Sequence, residues 1–277
     1  MSEVLREWAE NASAWQKHST TIRTMFTPLT EAIIEEARIT AGQRILDVAG
    51  GPGEPSLTIA ETVGPTGSVM CTDAVAEMVA AAEAEARRRG LTNVGFRQCV
   101  AETLPFDDNA FDAVVSRLGA MFFPDVPAAL REMLRVLKPA RAACFVVWGK
   151  NELNPFTYCV SNVIARYVES PPAGPDEPGN AFRFAESGKL AGLLAQAGAT
   201  DVRERELNFH LEAPITAEQF WEMRSATSGT LREKLATLPE DQRRRVASEV
   251  LEGVREFFPN GQMSFPAQML IVSGRGR

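Results

Sequence analysis

The stretch Ile45-Leu-Asp-Val-Ala-Gly-Gly-Pro-Gly53 decides the fold class of this chain. An apolar run that contains one aspartate passes directly into a turn rich in glycine, and residues 55–63 then follow a helical pattern. Glycine is required where the backbone takes a positive φ, or where a ligand must approach the main chain closely. A strand, a glycine turn and a helix in this order predict a βαβ unit with a ligand-binding site at the turn.

Short apolar runs alternate with helical patterns on both sides of this turn, from about residue 44 to residue 148. Further strands are predicted at 67–73, 94–99, 111–116 and 142–148, with two more near 200–210 and 267–273. Strand–helix alternation is typical of right-handed βαβ units and a parallel sheet. We therefore predict an α/β fold with a Rossmann-like, mostly parallel seven-stranded sheet, helices on both faces and a helical lid.

Composition and charge limit the partners that this chain can have. The 277 residues include 29 Lys and Arg against 36 Asp and Glu, which gives a formal net charge of −7. Nucleic acid is disfavoured as the main partner because phosphate neutralisation needs a surplus of basic residues. The acidic N-terminal stretch does not resemble a signal peptide, and no segment has the apolar length of a membrane span. We predict neither a nucleic-acid nor a membrane partner.

The cysteines and histidines indicate no metal site. The four cysteines form no CxxC pair, and the chain has only two histidines, His18 and His210. Small cysteines in apolar runs are typical of reduced thiols in a protein core. We predict a cytoplasmic protein without a bound metal.

Two ligand classes use a glycine turn of this kind, and the charges around the turn distinguish them. A dinucleotide turn has the pattern G-x-G-x-x-G, whereas this chain has Gly51-Pro-Gly-Glu-Pro-Ser56 and lacks the third glycine. The carboxylates of Asp47 and Glu54 would repel a pyrophosphate but would suit a cation. S-adenosylmethionine carries a sulfonium and an ammonium group, so we favour it over NAD. Asp73 ends the second strand and can accept hydrogen bonds from two ribose hydroxyls.

The sequence resembles the class I S-adenosylmethionine-dependent methyltransferases, in particular the small-molecule group related to the ubiquinone-biosynthesis methyltransferases. The segments that carry the resemblance are, in chain order, Asp47–Gly53, Thr72–Met78, Ala101–Phe106 with Phe111–Val114, and Leu130–Pro139. The resemblance covers about residues 40–150, with a weaker similarity at Leu190–Ala199. It implies the fold and S-adenosyl-L-methionine as the cofactor, while the acceptor stays open.

The resemblance also implies cofactor contacts at particular residues. The implied cofactor-binding residues are Asp47, Ala49, Gly50, Gly51, Gly53, Asp73, Ala74, Met78, Ala101, Glu102 and Ser116. Two positions depart from the family pattern. Ala49 stands where the family has the first glycine of the turn, and an alanine is accommodated there if the φ of this residue is negative. Val100 stands where the family has an aspartate that accepts a hydrogen bond from the adenine amino group. Adenine recognition is then expected to rest on backbone groups or on Glu102.

Four parts of the chain are predicted to have different tasks. Residues 1–39 are predicted to form helices that contribute to an acceptor lid, and residues 40–149 to form the cofactor-binding core. Residues 150–185 are predicted to form a mobile insertion. Residues 186–277 are predicted to complete the sheet and to carry a helical lid insertion over 214–262. Pro171-Pro172 is one of the signals for the mobile insertion, since paired prolines are typical of loops.

The acceptor site is less defined by sequence than the cofactor site. Methyl transfer is an in-line displacement, so a base is needed only when the acceptor must lose a proton. His18 precedes the first strand, where this family often builds its acceptor pocket, and is the candidate catalytic base; a surface histidine is the alternative. The candidate substrate-pocket residues are Trp15, Met121, Phe122, Trp148 and Tyr158.

These residues favour an apolar or aromatic acceptor, although apolar side chains at such spacing also pack in cores. We predict a methyltransferase that acts on O, N or C of a small metabolite, as a monomer or a homodimer. Two alternatives stay open: a cyclisation or decarboxylation catalysed on the same fold, and a non-catalytic binding protein.

Overall fold

The computed structural model describes residues 3–169 and 174–277, so the Pro171-Pro172 pair lies outside the described residues. Its centre is a seven-stranded sheet with the order β3-β2-β1-β4-β5-β7-β6. The strands are β1 (Arg44–Val48), β2 (Ser68–Asp73), β3 (Val94–Gln98), β4 (Phe111–Arg117), β5 (Leu137–Trp148), β6 (Thr200–Ala213) and β7 (Met263–Arg275). β7 runs antiparallel to β5 and β6, and the other pairs are parallel. The predicted α/β fold with a mostly parallel seven-stranded sheet is confirmed.

Helices flank the sheet and follow its strands. They are α1 (Glu3–Lys17), α2 (Ser19–Met25), α3 (Thr27–Glu36), α4 (Ser56–Val63), α5 (Ala76–Arg89), α6 (Val126–Val136), α7 (Pro155–Ile164), α8 (Lys189–Gln196), α9 (Ala217–Thr227), α10 (Gly229–Ala236) and α11 (Glu240–Gly253). Residues 113–117 of β4 and 142–148 of β5 are buried without interruption. Successive side chains of a strand point to opposite faces, so both faces of the sheet centre are covered.

Local signals set the ends of several helices. Helix α5 ends at Gly90, which takes the left-handed conformation with φ 71°. The side chain of Asp125 accepts a hydrogen bond from the Ala128 amide at 2.9 Å and starts α6. Both signals are local in the sequence, and both boundaries lie within one residue of the predicted ones.

The topology places a crevice at the carboxyl ends of the strands. Strand β1 lies between β2 and β4, so the chain leaves β1 on one side and returns on the other. In open α/β sheets the loops separate at this switch point and leave room for a ligand. The glycine turn after β1 and Asp73 at the end of β2 therefore lie at the same edge.

The segment 150–185 differs from the predicted mobile insertion in one part, because residues 155–164 form helix α7. Phe156, Val160, Val163 and Ile164 of this helix are all buried. Their spacing of four, seven and eight residues puts them on one helical face. The prolines and glycines of the segment hid this apolar face from the sequence-based prediction.

The N-terminal helix packs against the helices that precede β7. The Trp15 indole Nε1 donates a hydrogen bond to the Thr227 carbonyl at 3.0 Å. The Glu7 carboxylate accepts from the Thr230 amide at 2.8 Å, and the Arg232 guanidinium donates to the Asn11 side chain. Helices α1, α9 and α10 thus form one layer, which we call the roof. Within the described residues, no helix combines the length and apolar character that membrane crossing requires.

Candidate cofactor and acceptor site

A cavity of about 580 Å³ lies between the carboxyl edge of the sheet and the roof. One part of its wall, the donor half, consists of Ala49, Gly50, Gly51, Asp73, Ala74, Val75, Met78, Val100, Ala101 and Glu102. The other part, the acceptor half, includes Trp15, Phe26, Arg117, Met121, Phe122, Trp148, Phe156 and Arg224. The wall is mainly apolar with a few polar groups, as is typical of small-molecule sites.

The structure brings most of the residues implied by the resemblance to this cavity. Those that line it are Ala49, Gly50, Gly51, Asp73, Ala74, Met78, Ala101 and Glu102. Asp47, Gly53 and Ser116 lie outside its lining. Among the predicted substrate-pocket residues, Trp15, Met121, Phe122 and Trp148 line the cavity, whereas Tyr158 does not.

The glycine turn leaves open space where a ligand must approach. Gly51 has φ 54°, and a Cβ atom added there would meet no protein atom within 4 Å. A side chain at this position would therefore project into free space and would also be strained. At Gly50 an added Cβ would lie 2.7 Å from Cys71 Sγ and 2.8 Å from Asp47 Oδ2, so this position has no room for a side chain.

Ala49 does not meet the expectation of a negative φ, because its φ is 60°. The turn needs the left-handed conformation at the position where the family has glycine, and the alanine adopts it with strain. A Cβ at Gly119 would lie 2.6 Å from the Ala49 Cβ and 2.8 Å from Ser116 Oγ, so only glycine fits at position 119.

Asp73 is held at the edge of the sheet by two backbone amides. Its Oδ2 accepts from the Gly51 amide at 3.0 Å, and its Oδ1 accepts from the Val75 amide at 2.9 Å. Burial raises the pKa of this carboxyl, and the amide hydrogen bonds oppose that shift. Each carboxylate oxygen keeps a further lone pair, so the side chain can still accept from two hydroxyl groups.

The two carboxylates that favoured a cationic ligand do not face the cavity as free charges. Asp47 is fully buried behind the turn, where its Oδ2 accepts from the Ser56 amide at 3.1 Å and the Ser56 hydroxyl at 2.6 Å. Glu54 pairs with Arg89 at 2.7 Å, and both side chains are less than a tenth exposed. The charge argument from the sequence assumed two free carboxylates, whereas Ser56 and Arg89 engage them within the fold; cofactor binding by Asp47 stays a prediction.

Burial raises the pKa of Asp47 to about 7, and the hydrogen bonds from Ser56 and the charge of Arg117 oppose this shift. The second carboxylate oxygen, Oδ1, is buried without a hydrogen-bond partner. Asp47 thus holds the N-terminal turn of α4 in place beneath the glycine turn, at a cost in solvation.

Gly53 and Ser116 lie below the cavity wall. A Cβ at Gly53 would lie 2.9 Å from Leu57 Cδ1, so this glycine permits close packing of the turn on α4. The Ser116 hydroxyl is buried without a hydrogen-bond partner and would lie 2.8 Å from a Cβ at Gly119. Their contacts are with the fold, and cofactor binding by either residue stays a prediction.

The far end of the donor half is partly open. Val100 lines it with 42% of its surface exposed, and Glu102 Oε1 accepts from the Asp125 amide at 3.2 Å. Ala12 of the roof packs on Val75 and Met78 in a small buried cluster. This end of the cavity therefore has an apolar floor from β2 and α5, and an apolar cover from α1.

Aromatic rings form the wall of the acceptor half. Trp148 stacks on Phe156 with 6.4 Å between ring centroids and 14° between planes, and Phe26 meets Trp148 edge-on at 6.3 Å. Phe122 contacts Trp8 edge-on at 5.1 Å. We call Phe26, Trp148 and Phe156 the aromatic row. Each of these three side chains is already more than nine-tenths buried by the protein, so a flat apolar ligand would gain ring contacts there rather than much further area burial.

His18 does not line the cavity, because it lies at the junction between α1 and α2. Its Nε2 is buried without a hydrogen-bond partner, and burial together with Lys17 lowers its pKa. Within the described residues the cavity lining contains no histidine. The catalytic role of His18 stays a prediction that this geometry does not support.

Two arginines of the acceptor half were not predicted as site residues. Arg117 ends β4, and its guanidinium donates to the Thr30 hydroxyl at 2.9 Å and the Glu54 carbonyl at 3.0 Å. Arg224 belongs to α9, more than a hundred residues beyond the glycine turn. A lone arginine in a helix of mixed composition gives no signal in one sequence, so only the tertiary structure could place it here.

Comparison with known proteins identifies relatives of the central part of the chain. The profile of the ubiE/COQ5 methyltransferase family matches residues 23–164. An uncharacterised protein of Mycobacterium tuberculosis is 39% identical over 124 residues, which are 45% of this chain and 44% of that protein. The ubiquinone/menaquinone biosynthesis C-methyltransferase UbiE of Cellvibrio japonicus is 38% identical over 123 residues, which are 43% of this chain and 49% of that enzyme.

The chain thus matches about half the length of these curated relatives, or slightly less. Among solved structures, the YcgJ protein from Bacillus subtilis is similar in fold, with a TM-score of 0.57 and 22% identity. That similarity covers 90% of this chain and 97% of that protein.

Proposed function

The chain belongs to the ubiE/COQ5 methyltransferase family, and from this premise we propose that it transfers the methyl group of S-adenosylmethionine to a small, apolar or aromatic acceptor. The observation that carries this proposal is a single cavity with two unlike halves. An aspartate at a strand end and an open glycine turn form one half, and aromatic rings form the other.

The residues of the donor half fit S-adenosylmethionine. Asp73 keeps two acceptor sites for the ribose hydroxyls, and Gly51 leaves the space that the methionine part needs. Ala74, Val75 and Met78 offer apolar surface for the adenine ring. Val100 offers no acceptor for the adenine amino group, so backbone groups near Ala101 or the Glu102 carboxylate would supply it.

When bound, S-adenosylmethionine supplies an electrophilic methyl carbon on a positively charged sulfur. The protein contributes alignment and the exclusion of water. The aromatic row holds the acceptor ring, and the roof helices α1 and α9 cover it. Asp73 and the glycine turn hold the donor at the sheet edge, which brings the methyl carbon and the acceptor together in one cavity.

Within the described residues no histidine lines the cavity, Glu54 and Glu85 pair with Arg89, and the Glu7 carboxylate accepts from the Thr230 amide and hydroxyl. A nucleophile that is already ionised or unprotonated near neutral pH needs no base. We therefore propose an acceptor of this kind, and the methylated atom can be O, N or C.

The proposal is tested by measuring donor binding and methyl transfer separately. Calorimetry with S-adenosylhomocysteine should show binding to the wild-type chain, and Asp73→Ala should weaken it by about tenfold to a hundredfold because charge-assisted hydrogen bonds are lost. Asp107→Ala, which removes an exposed aspartate, is the matched control and should leave the affinity unchanged. An Asp73→Ala variant with wild-type affinity would refute the ribose contact.

Methyl transfer itself is measured with a labelled donor and a panel of aromatic acceptors. Transfer of label to an acceptor supports the proposal. Tight donor binding without transfer to any acceptor would favour a non-methylating reaction on this fold, and no donor binding at all would favour a non-catalytic protein. A cytoplasmic location and a monomeric or homodimeric state stay predictions.

A further inference from the structure

Arg224 lines the acceptor half without a partner for its charge. Its guanidinium carbon lies 4.7 Å from the centroid of Phe156, at one end of the aromatic row. Its Nε is buried and has no hydrogen-bond partner. Among the described residues, its side chain contacts Phe156 and makes no ion pair or hydrogen bond. Burial lowers the pKa of Arg224 to about 10, and no carboxylate opposes that shift.

The other arginines that line the cavity are satisfied by the protein. Arg117 donates to the Thr30 hydroxyl and to the Glu54 carbonyl. Arg89 pairs with Glu54 at 2.7 Å and with Glu85 at 2.8 Å. A buried charge without a counter-ion is costly, and an unpaired donor adds to that cost. Among the arginines that line this cavity, Arg224 is thus the one whose guanidinium makes no ion pair or hydrogen bond with the described residues.

The surroundings of Arg224 define the shape of that partner. The guanidinium packs against the ring of Phe156, which stacks in turn on Trp148 with 14° between the planes. A planar guanidinium offers paired N–H donors that match the two oxygens of a carboxylate. A flat ring that lies along Phe156 and Trp148 would bring a carboxyl substituent within reach of these donors.

We propose that the methyl acceptor is an aromatic carboxylic acid whose carboxylate pairs with Arg224 while its ring packs on Phe156 and Trp148. This inference rests on the proposed function, because it names the substrate class of the same cavity. One unpaired guanidinium balances one negative charge. A phosphate dianion would need a second free cation, and Arg117 already donates to protein groups.

A carboxylate could also come from the methionine part of the methyl donor. The position of Arg224 favours the acceptor, since its recorded contact is with the aromatic row and not with the glycine turn. The two sources are distinguished by measuring binding of the acid and of S-adenosylhomocysteine in the same variants.

The test compares matched pairs of ligands by calorimetry, with and without S-adenosylhomocysteine. The probes are 2-naphthoate with 2-naphthamide, and 4-hydroxybenzoate with 4-hydroxybenzamide. The wild-type chain should bind at least one acid about tenfold or more tightly than its amide, because a buried charge-assisted pair forms. Arg224→Gln should abolish this preference, and Arg243→Gln, an exposed arginine of α11, should keep it.

A wild-type chain that prefers no acid over its amide, or that binds neither acid, would overturn the proposal. A preference that survives in Arg224→Gln would do the same. Arg224→Lys keeps the charge but loses the planar fork, so the preference should fall to an intermediate value. Arg224→Lys also tests the proposal if Arg224→Gln does not fold. In that case, an unchanged preference of Arg224→Lys for the acid over the amide would contradict the pairing of the carboxylate with Arg224.

The binding of S-adenosylhomocysteine separates this inference from the proposed function. If Arg224→Gln loses affinity for S-adenosylhomocysteine and keeps its preference for the acid, Arg224 serves the donor and the inference fails. If the wild-type chain binds the acids through Arg224 but does not bind S-adenosylhomocysteine, the proposed function fails instead. Binding of both ligands, with only the acid dependent on Arg224, supports both.

Discussion

Asp47 shows how burial changes the role of a residue that a motif singles out. Its position at the end of the first strand suggested a charge beside the ligand, whereas its oxygens lie behind the glycine turn and one of them accepts from Ser56 twice. A carboxyl that is buried in this way binds its proton more tightly in the folded chain than in the unfolded chain. Asp47 should therefore make the stability of the protein depend on pH near neutrality.

We predict that stability falls between pH 4 and pH 8 because of Asp47. Its pKa is about 7 in the fold against an ordinary value of 3.8. Protonated Asp47 contributes its full share to the free energy of unfolding below the unfolded-state pKa. This contribution is lost as the pH rises through the folded-state pKa. The loss is on the order of a few kcal/mol.

Urea unfolding at several pH values, in the wild-type chain and in Asp47→Asn, measures this effect. The amide cannot ionise, so the wild-type curve should decline relative to the variant as the pH rises. Carboxylates with lowered pKa values, such as Asp112 and Glu132, act in the opposite direction in both proteins and cancel in the difference. Parallel curves would contradict the raised pKa of Asp47.

The strain at Ala49 leads to a second prediction at this scale. Replacing Ala49, which has φ 60°, by glycine should stabilise the chain by about 0.5–1 kcal/mol, because glycine adopts this conformation without a Cβ clash. The matched control is Ala80→Gly in the exposed middle of α5, which should destabilise by about 1 kcal/mol. Thermal unfolding of both variants decides the question, and a destabilised Ala49→Gly would show that the turn carries no strain.

At the scale of elements, the position of α7 determines the aromatic row. Asn154 precedes this helix and is completely buried. Its Nδ2 donates to the Lys150 carbonyl at 2.8 Å and to the Gln268 carbonyl at 3.1 Å, and its Oδ1 accepts from the Gln268 amide at 3.0 Å. One side chain thus ties the start of α7 to β7 and so places Phe156 beside Trp148.

We predict that Asn154→Ala destabilises the chain by about 2–4 kcal/mol, because backbone groups of Gln268 lose buried partners. Asn151→Ala is the control, since Asn151 is exposed and its side chain makes one hydrogen bond, to the Thr157 hydroxyl. Denaturant unfolding should separate the two variants clearly. Equal losses would mean that α7 is positioned by its apolar face alone.

At the scale of the whole molecule, the cavity exists because distant parts of the chain meet above the sheet. Helix α1 comes from the N-terminus and α9 from beyond residue 216, and the Trp15 indole joins them through the Thr227 carbonyl. Trp15 and Arg224 both line the cavity from this roof. The acceptor half is therefore a property of the assembled fold.

We predict that Trp15→Phe loosens the roof without unfolding the sheet. Phenylalanine keeps an aromatic ring at this position but cannot donate the hydrogen bond to the Thr227 carbonyl. The free energy of unfolding should therefore fall by about 1 kcal/mol. Amide hydrogen exchange should become faster in α1 and α9, while β1 and β4 stay protected. Trp221→Phe is the control, because the Trp221 indole donates no hydrogen bond recorded within the described residues. Unchanged exchange in α1 would contradict a role for this bond in holding the roof.

Much of the fold and of the donor half was predictable because the relevant signals are local. Apolar runs predicted the strands, and the glycine turn together with Asp73 predicted the edge that carries the cavity, since parallel strands end at one edge. The helix α7 was missed because the segment 150–185 as a whole is rich in proline and glycine, which is typical of loops. The partners of Asp47 and Glu54 were not predictable, because a charged residue in a sequence does not reveal which side chain it will contact in the fold.

The sequence by itself determined the sheet, its ligand edge and the family of the protein, because strand periodicity and turn chemistry depend on neighbouring residues. Only the tertiary structure decided which charged side chains have a partner within the fold and which do not. Asp47 and Glu54 are enclosed by Ser56 and Arg89, whereas Arg224 reaches the cavity without a counter-ion. These outcomes depend on contacts between residues far apart in the chain, and burial in the folded molecule sets their energies.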